Sequence, residues 1–255
     1  MKILWAFCVY NEIELLPFKI DYLRRNDIDP YVFDNMSTDG SWGWLQNNKI
    51  PSRQFDSGGM FDLTLNLLWL SRKMHEVRPD WVIMAGADIF YVDLRGPLRE
   101  TIEMAERFKF NCICDHFKSF QFMFTGEEKP GRDPRLTYMY YIPKSLGTLC
   151  IAKYSSGLRF KSADYFTVPE SRPYQYASFA ALHYAMRHDA EKRKTEQYLR
   201  RKKAWDKGRV ARCYGAHYKR IVDSKEFVFD KTKLRDVRDS VFWEAIKRSV
   251  EAGVI

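Results

Sequence analysis

The stretch Val32-Phe33-Asp34-Asn35-Met36-Ser37-Thr38-Asp39-Gly40-Ser41 decides the fold of this 255-residue chain. Its first residues end a short apolar strand that begins at Pro30, and polar turn-forming residues follow. The next segment, Trp42-Gly43-Trp44-Leu45, predicts a short helix with Ser37 or Asp39 as its N-cap. In a parallel α/β sheet such a turn lies at the carboxyl edge, where ligands bind.

Strand-like and helix-like segments alternate on both sides of this stretch. The first strand is predicted at Ile3 to Val9, and a helix follows near Leu15 or Leu16 with Pro17 in its first turn. The later elements are predicted as strands at Ile50 to Phe55, Asp80 to Ala85 and Asn111 to Cys114, and as helices at Phe61 to Glu76 and Arg99 to Phe108. The alternation indicates an α/β fold with a mostly parallel central sheet flanked by helices.

The remainder of the chain is organised differently. Residues 115–170 are rich in aromatic residues, glycines and prolines, which suggests short strands and loops that build a pocket wall. Helices are predicted from Ala177 to Lys207 and from about Ser240 to Val250. We therefore expect a catalytic domain at 1–175, with a nucleotide-binding half at about 1–95 and an acceptor half at about 96–175, and a basic helical extension at 176–255.

Three short segments together resemble the opening of family 2-like GT-A glycosyltransferases. They are Cys8-Val9-Tyr10-Asn11-Glu12, then Leu16-Pro17, then Asp34 to Ser41. The resemblance implies a GT-A fold, with Tyr10, Asn11 and Glu12 at the nucleotide site and Asp34 on the base or ribose. Asn35 and Asp39 belong to the same predicted site, where they can also hold the turn in shape. A plain Asx turn that caps a helix remains the alternative.

A second segment, Asp80-Trp81-Val82-Ile83-Met84-Ala85-Gly86-Ala87-Asp88, resembles the strand and D-x-D motif with which that family binds a metal and the sugar diphosphate. Gly86 occupies the first acidic position, so Asp88 is the one carboxylate left, and Gly86, Ala87 and Asp88 are predicted at the nucleotide sugar. Magnesium takes one or two carboxylates plus substrate phosphates, so Asp88 can suffice for Mg²⁺ or Mn²⁺. Asp93 is the nearest spare carboxylate and is interpreted as a loop acid.

Two further roles are assigned by sequence order. An inverting transfer needs a general base near the acceptor hydroxyl. Inverting members of the family that the chain resembles usually take this base from an Asp or Glu after the metal motif, which implies Asp164 or Glu170, with Asp115 and Asp133 as rivals. His183-Tyr184 resembles a histidine-tyrosine pair that some relatives carry after their catalytic region, which implies that His183 completes the metal shell or touches a phosphate. The alternatives are surface carboxylates and a histidine packed on a helix.

The net charge of +9 comes from one late segment. Between Arg187 and Arg220 there are 13 Lys plus Arg against 4 Asp plus Glu, which gives +9, so the rest of the chain is neutral. A solvated helix, a face for an anionic membrane or lipid-linked acceptor, and a nucleic-acid contact all remain open. Charges on nearly all sides of Lys192 to Lys207 favour the solvated helix, and the absence of a recognition motif argues against nucleic acid.

The sequence as a whole predicts a cytoplasmic enzyme, with peripheral contact at the inner membrane surface as an option. The five cysteines are odd in number, and three of them lie in strand-like apolar runs, as reduced core cysteines do; neither a signal peptide nor a membrane span is predicted. The expected activity is transfer of a sugar from a nucleoside-diphosphate sugar to a hydroxyl of a glycan or lipid-linked acceptor. A nucleotide-sugar-binding protein without turnover and a basic nucleic-acid-binding protein are the alternatives.

Overall fold

A computed structural model describes residues 1–114, 119–123, 125, 128, 131–144, 149–155, 157–162, 165–167, 172–175, 178–186, 188–208 and 231–251. The strands are β1 (Ile3–Val9), β2 (Asp29–Asp34), β3 (Ser52–Gln54), β4 (Trp81–Ile83), β5 (Ile89–Asp93), β6 (Cys112–Cys114), β7 (Ser119–Met123), β8 (Tyr140–Lys144), β9 (Leu149–Lys153), β10 (Arg159–Ser162), β11 (Tyr165–Thr167), β12 (Pro173–Gln175), β13 (Phe179–Met186) and β14 (Arg235–Asp236). The helices are α1 (Leu16–Arg25), α2 (Ser41–Asn47), α3 (Leu63–Val77), α4 (Leu98–Arg107), α5 (Pro134–Thr137), α6 (Ala190–Asp206) and α7 (Trp243–Glu251).

Two sheets and a hairpin organise these strands. The larger sheet has the order β12-β6-β9-β4-β1-β2-β3, and β1, β2, β3 and β4 are parallel neighbours, while β9 runs against β4 and β6. The smaller sheet has the order β14-β8-β7-β13-β5, and β10 pairs with β11. The predicted α/β fold with a mostly parallel central sheet is confirmed.

Alternate residues of β1 enter two separate cores, which is why the strand is apolar throughout. Trp5 and Phe7 face the core shared with α1, α4 and the smaller sheet, whereas Leu4 and Ala6 face the core shared with α3. A strand covered on both faces by helices reads as a continuous apolar run. The position of β1 between β2 and β4 brings the loops that follow these three strands to one edge of the sheet.

Two local expectations are wrong. Phe179–Met186 is a strand, because it pairs with β5 and β7 in the smaller sheet, so the helix predicted from Ala177 begins only at Ala190. The N-cap of α2 is Gly40, whose φ of 94° lies in the left-handed region, and not Ser37 or Asp39. The division into domains at residue 175 stays a prediction, although β13, which follows that boundary, is hydrogen-bonded to β5 and β7, which precede it.

An Asp-x-Arg arrangement occurs three times with the same local geometry. In each copy the arginine backbone N–H and its guanidinium both donate to the aspartate two residues earlier. The pairs are Asp93–Arg95, Asp133–Arg135 and Asp236–Arg238. The arginine side chain is 27% exposed in the first, fully buried in the second and 54% exposed in the third.

Within the described part of the chain, every helix is too short or too polar to cross a membrane.

Candidate functional site

The loop after β1 and the turn after β2 are hydrogen-bonded to each other. Asn11 Oδ1 accepts from the Thr38 N–H at 2.8 Å, and the Asn11 N–H donates to Ser37 Oγ at 2.9 Å. Asn11 has a φ of 55°, a left-handed conformation that asparagine tolerates better than most residues. The two segments that resemble the glycosyltransferase family are therefore held against each other by hydrogen bonds.

Asp39 strengthens this connection from the turn side. Its Oδ2 accepts from the Ile13 N–H at 2.9 Å, and its Oδ1 accepts from the backbone and hydroxyl of Ser41 at 2.9 and 2.6 Å. The Glu12 N–H donates to Ser41 Oγ at 3.1 Å. The Asp39 carboxylate thus holds the two loops together.

Asp34 and Asn35 lie deeper than their predicted nucleotide contact suggests. Asp34 is fully buried and does not line the cavity described below; its Oδ1 accepts from the Ser37 N–H at 3.0 Å and from Gln54 Nε2 at 3.1 Å. The other oxygen, Oδ2, is buried without a hydrogen-bond partner. Asn35 lines the cavity and bonds Ser57 and the Met60 carbonyl.

A cavity of about 320 Å³ lies where the two loops meet. Its walls come from the end of β1 and the following loop, from the turn after β2, from the start of α3 and from α6. The lining residues are Cys8, Val9, Tyr10, Asn11, Glu12, Ile13, Glu14, Asn35, Asp39, Phe61, Asn66, His188, Asp189, Lys192, Arg193, Glu196, Gln197 and Arg200. The volume is at the lower end of the range of small-molecule sites.

The basic helix α6 forms one wall of this cavity. Arg193 donates to the Asn11 carbonyl at 3.0 Å and pairs with Glu12 at 2.9 Å, while the Tyr10 hydroxyl donates to Glu196 at 2.6 Å. Burial and the bond to Glu196 raise the pKa of Tyr10, so this hydroxyl stays protonated. The N-terminal half of α6 is therefore joined to the loop after β1.

The C-terminal half of α6 is joined to a second loop, between β3 and α3. The Arg200 guanidinium stacks 3.4 Å from the Tyr10 ring centroid and donates to the Met60 carbonyl at 3.1 Å, and Lys203 donates to the Gly58 carbonyl at 2.6 Å. Lys194, Arg200 and Arg201 are buried. The expectation of a solvated helix is wrong for this face. Its cations bind backbone carbonyls and an aromatic ring of segments that are far away in the sequence.

Asp88 and His183 meet between the two sheets. Asp88 precedes β5 by one residue, and His183 lies opposite Ile89 in the β13–β5 ladder, which places His183 Nε2 3.3 Å from Asp88 Oδ2. Both side chains are 25% exposed. The two residues predicted as metal ligands are thus neighbours, although His183 reaches Asp88 from a strand and not from a helix.

Gly86 and Ala87 shape the turn that presents Asp88. The Ile89 N–H donates to the Gly86 carbonyl at 3.3 Å, Ala87 is buried, and the Asp88 carbonyl accepts from the Tyr184 N–H at 2.8 Å. A Cβ built on Gly86 would lie 2.6 Å from Asp88 Oδ1. Because Gly86 has no side chain, the Asp88 carboxylate can occupy the space beside its α-carbon.

The Asp88–His183 pair has donor atoms suited to one divalent cation. A carboxylate and an imidazole are both common metal ligands, and phosphate oxygens and water can fill the remaining positions. Within the described residues no group of three or more His, Cys, Asp or Glu forms a complete protein cage.

A buried lysine side chain lies beneath the Asp88 turn. Lys19 of α1 is fully buried, donates to the Ile89 carbonyl and lies 3.3 Å from the Trp5 ring centroid. Burial lowers the pKa of Lys19 well below 10.5, and the Asp88 carboxylate acts in the opposite direction. No role was assigned to Lys19 from the sequence.

The candidate general bases are only partly placed. Asp164, Glu170 and Asp115 lie outside the described residues. Asp133 caps α5 and accepts hydrogen bonds from Nε and Nη2 of Arg135, so its carboxylate is occupied by a structural contact. Asp93 ends β5, buried and paired with Arg95, which makes it a structural acid.

Several cavity residues were not identified from the sequence. Asn66 lies on α3, which was predicted only as a helix. Arg193, Glu196 and Arg200 lie within a segment that was interpreted only by its charge. On α6 the last three recur at intervals of three and four residues, so they share one face of the helix. That spacing was the available signal, but only the tertiary structure shows which face is covered.

No protein-family model matches the sequence, and no curated protein matches it. Among solved structures, TarS of S. aureus aligns with 91% of the chain at 14% identity and a TM-score of 0.45, and the alignment spans 44% of that TarS chain. TarS 1–349 in complex with UDP aligns at 13% identity and a TM-score of 0.42, over 91% of this chain and 73% of the other. The complex of the same fragment with UDP-GlcNAc gives 13% identity and a TM-score of 0.41 over 91% and 74%.

Proposed function

We propose that the protein is a GT-A-type glycosyltransferase that moves a sugar from a nucleoside-diphosphate sugar to an acceptor hydroxyl. The observation that carries the proposal is that the loop-built cavity and the turn that bears Asp88 follow neighbouring parallel strands and so share one edge of the sheet. The loops after β1 and β2 form the cavity, and Asp88 follows the neighbouring strand β4. Such an edge is where open α/β sheets bind nucleotides.

We assign the two parts of the donor, the nucleoside and the sugar diphosphate, to two regions of the site. Tyr10, Asn11, Glu12, Asn35 and Asp39 surround the cavity and suit a nucleoside, whose base and ribose offer hydrogen-bond donors and acceptors. Asp34 supports the turn by accepting a hydrogen bond from the Ser37 N–H. This division leaves the diphosphate and sugar directed toward the Asp88 turn.

The Asp88–His183 pair would hold a divalent cation, Mn²⁺ or Mg²⁺, together with the diphosphate. When bound, that cation neutralises charge on the leaving nucleoside diphosphate. Asp88 Oδ2 and His183 Nε2, 3.3 Å apart, are the atoms that we assign to it. In an inverting reaction Asp164 or Glu170 would take the proton of the acceptor hydroxyl.

The test is a donor panel assayed for sugar transfer and donor hydrolysis, with and without Mn²⁺ or Mg²⁺. Asp88→Asn and His183→Ala should each lower turnover at least tenfold and weaken the metal dependence. The matched control is Asp21→Asn, which removes an exposed carboxylate that pairs with Arg25 on α1. The proposal fails if no nucleotide sugar in the panel binds or reacts.

A nucleotide-sugar-binding protein without turnover is the second candidate, and Gly86 is the observation that favours it. Binding of a nucleoside diphosphate measured calorimetrically without metal, together with no transfer to any acceptor and no hydrolysis, would establish this function instead.

The acceptor is proposed as a glycan or a lipid-linked glycan. Lys202 on α6 and Lys207 at its C-cap are exposed, away from the cavity lining, and could contact an anionic membrane surface. Co-sedimentation with vesicles that contain anionic lipid should then fall when both residues are changed to glutamine. Equal sedimentation of the variant and the wild-type protein would exclude a contribution of these two residues.

A further inference from the structure

Two buried side chains contact the opposite ends of the Asp88 turn, residues 85–89. The Trp5 indole N–H donates to the Ala85 carbonyl at 3.0 Å, and Lys19 Nζ donates to the Ile89 carbonyl. Lys19 Nζ also lies 3.3 Å from the centroid of the Trp5 ring, close enough for an N–H group to contact the ring face. The two contacts on the turn are therefore joined to each other.

The backbone bond that closes this turn is long. The Ile89 N–H reaches the Gly86 carbonyl at 3.3 Å, beyond the usual range of about 2.7–3.2 Å. Gly86 also gives the turn a backbone position with more conformational freedom than any other residue would allow. The direction of the Asp88 carboxylate therefore depends on contacts that reach the turn from other elements.

The fold by itself does not need a lysine at position 19. The side chain is fully buried on α1 on the same face as Leu16 and Leu23, where methionine would fill a similar space without a polar group. Lysine is almost never fully buried unless its amino group has a partner, because removal of that group from water costs free energy. Such a departure from core composition is expected where a residue serves a functional site.

We propose that Lys19 and Trp5 are positioning residues, which hold the two ends of the Asp88 turn and so direct the Asp88 carboxylate toward the site that it shares with His183. A side chain that binds a ligand or metal must be held to within about 0.5 Å of its working position by the residues around it. This inference rests on the proposed function, in which Asp88 binds the cation and the diphosphate.

Lys19→Met is the principal variant, because it removes the amino group and keeps a side chain of similar length. Tyr22→Phe is the matched control: Tyr22 is also buried on α1, and its hydroxyl donates to the Tyr91 carbonyl of β5 at 2.6 Å. Each change removes one hydrogen bond from α1 to a carbonyl of β5, but Tyr91 lies two residues farther from Asp88. Trp5→Phe removes the bond at the other end of the turn. Urea unfolding gives the global stability of each variant.

Amide hydrogen exchange, followed by NMR without nucleotide or metal, reports directly on the turn. The amides of Ile89 and Tyr184 are the probes, because they donate to the Gly86 and Asp88 carbonyls. We expect both to exchange at least fivefold faster in Lys19→Met than in Tyr22→Phe, with β1 amides alike in the two variants. Equal exchange of the two probes in these variants would overturn the proposal.

Binding measurements separate a positioning role from a general loss of stability. Affinity for UDP, GDP, CDP and ADP, measured by calorimetry without metal, should stay within about twofold of wild type in Lys19→Met, because the cavity is unchanged. Affinity for Mn²⁺ with saturating nucleotide, measured by electron paramagnetic resonance, should fall about 10–100-fold in Lys19→Met and also fall in Trp5→Phe. Tyr22→Phe should bind Mn²⁺ as the wild-type protein does.

The outcomes distinguish this inference from the proposed function. Unchanged Mn²⁺ affinity in Lys19→Met, or an equal loss in Tyr22→Phe, would overturn the positioning role while leaving the nucleotide site intact. If the wild-type protein binds no nucleotide or no Mn²⁺, the proposed function fails in that part. The exchange of the Ile89 and Tyr184 amides then decides alone whether Lys19 holds the turn.

Discussion

The Asp88 carboxylate fills the space next to the α-carbon of Gly86. A side chain at position 86 would begin 2.6 Å from Asp88 Oδ1, closer than non-bonded atoms approach, while the other oxygen of Asp88 lies 3.3 Å from His183. The present position of the Asp88 side chain therefore requires glycine at position 86. Restoring a larger residue there would displace the remaining acid.

Gly86→Ala should therefore impair function without impairing folding. The added methyl group forces Asp88 to rotate, and we expect metal-dependent donor binding or turnover to fall about 10–100-fold, as for other changes that reorient a ligand. The thermal midpoint should stay the same or rise slightly, because alanine restricts the unfolded chain. Calorimetry of donor and metal binding, together with thermal unfolding, checks both halves. Full activity in Gly86→Ala would show that Asp88 does not need its present position.

Asp39→Ala should disconnect the loops after β1 and β2. The change removes the acceptor for the Ile13 N–H and for both Ser41 donors, so we expect nucleotide affinity to fall at least tenfold. Nucleotide-induced thermal stabilisation measures the effect. Asp29→Ala, an exposed aspartate at the start of β2, is the control and should bind as the wild-type protein does. Equal affinity of the two variants would mean that the loops hold without Asp39.

Asp93→Asn should destabilise the fold by about 3 kcal/mol at neutral pH, because a buried carboxylate loses its charged pairing with Arg95. Burial alone would raise the pKa of Asp93, but hydrogen bonds from Arg95 and Thr101 outweigh it and lower the pKa below 3.8. A lowered folded-state pKa contributes stability above the unfolded-state pKa, and that contribution disappears as the pH falls through the folded-state value.

The difference in unfolding free energy between wild type and Asp93→Asn should accordingly be constant from pH 7 to about 5 and shrink below about 4. Urea unfolding at a series of pH values measures it. A difference that stayed unchanged down to pH 3 would assign the loss to packing and not to charge.

The three Asp-x-Arg pairs should respond to Arg→Lys in the order of their burial. Lysine cannot reproduce the two parallel bonds of the guanidinium, and the loss is larger where water cannot replace them. We expect a cost of about 2–4 kcal/mol at fully buried Arg135, less at Arg95, and the smallest cost at Arg238. Chemical unfolding of the three variants tests the order, and an equal cost at all three would contradict it.

Local sequence patterns were sufficient for the N-terminal half of the fold. The apolar run of β1, Pro17 in the first turn of α1 and the polar turn after β2 are each specified by residues close together in the chain. The Asp34–Ser41 turn and the Asn11–Glu12 pair were expected at one site, and their mutual hydrogen bonds show why those residue types occur together.

The same approach failed where a segment depends on distant partners. Phe179–Met186 has residues that suit a helix, but its pairing with β5 and β7 makes it a strand. The charges of α6 surround the helix, and only contacts with Tyr10, Glu12 and Gly58 decide which side is covered. Tertiary contacts override local preference in both cases.

The Arg193 bond to Asn11 joins positions 182 residues apart, which sets an order in time as well as in space. During synthesis at about 5–20 residues per second, the loop after β1 leaves the ribosome about ten seconds or more before α6 exists. The loop after β1 therefore exists long before the helix that completes the cavity wall, so the cavity can form only after α6 has been synthesised.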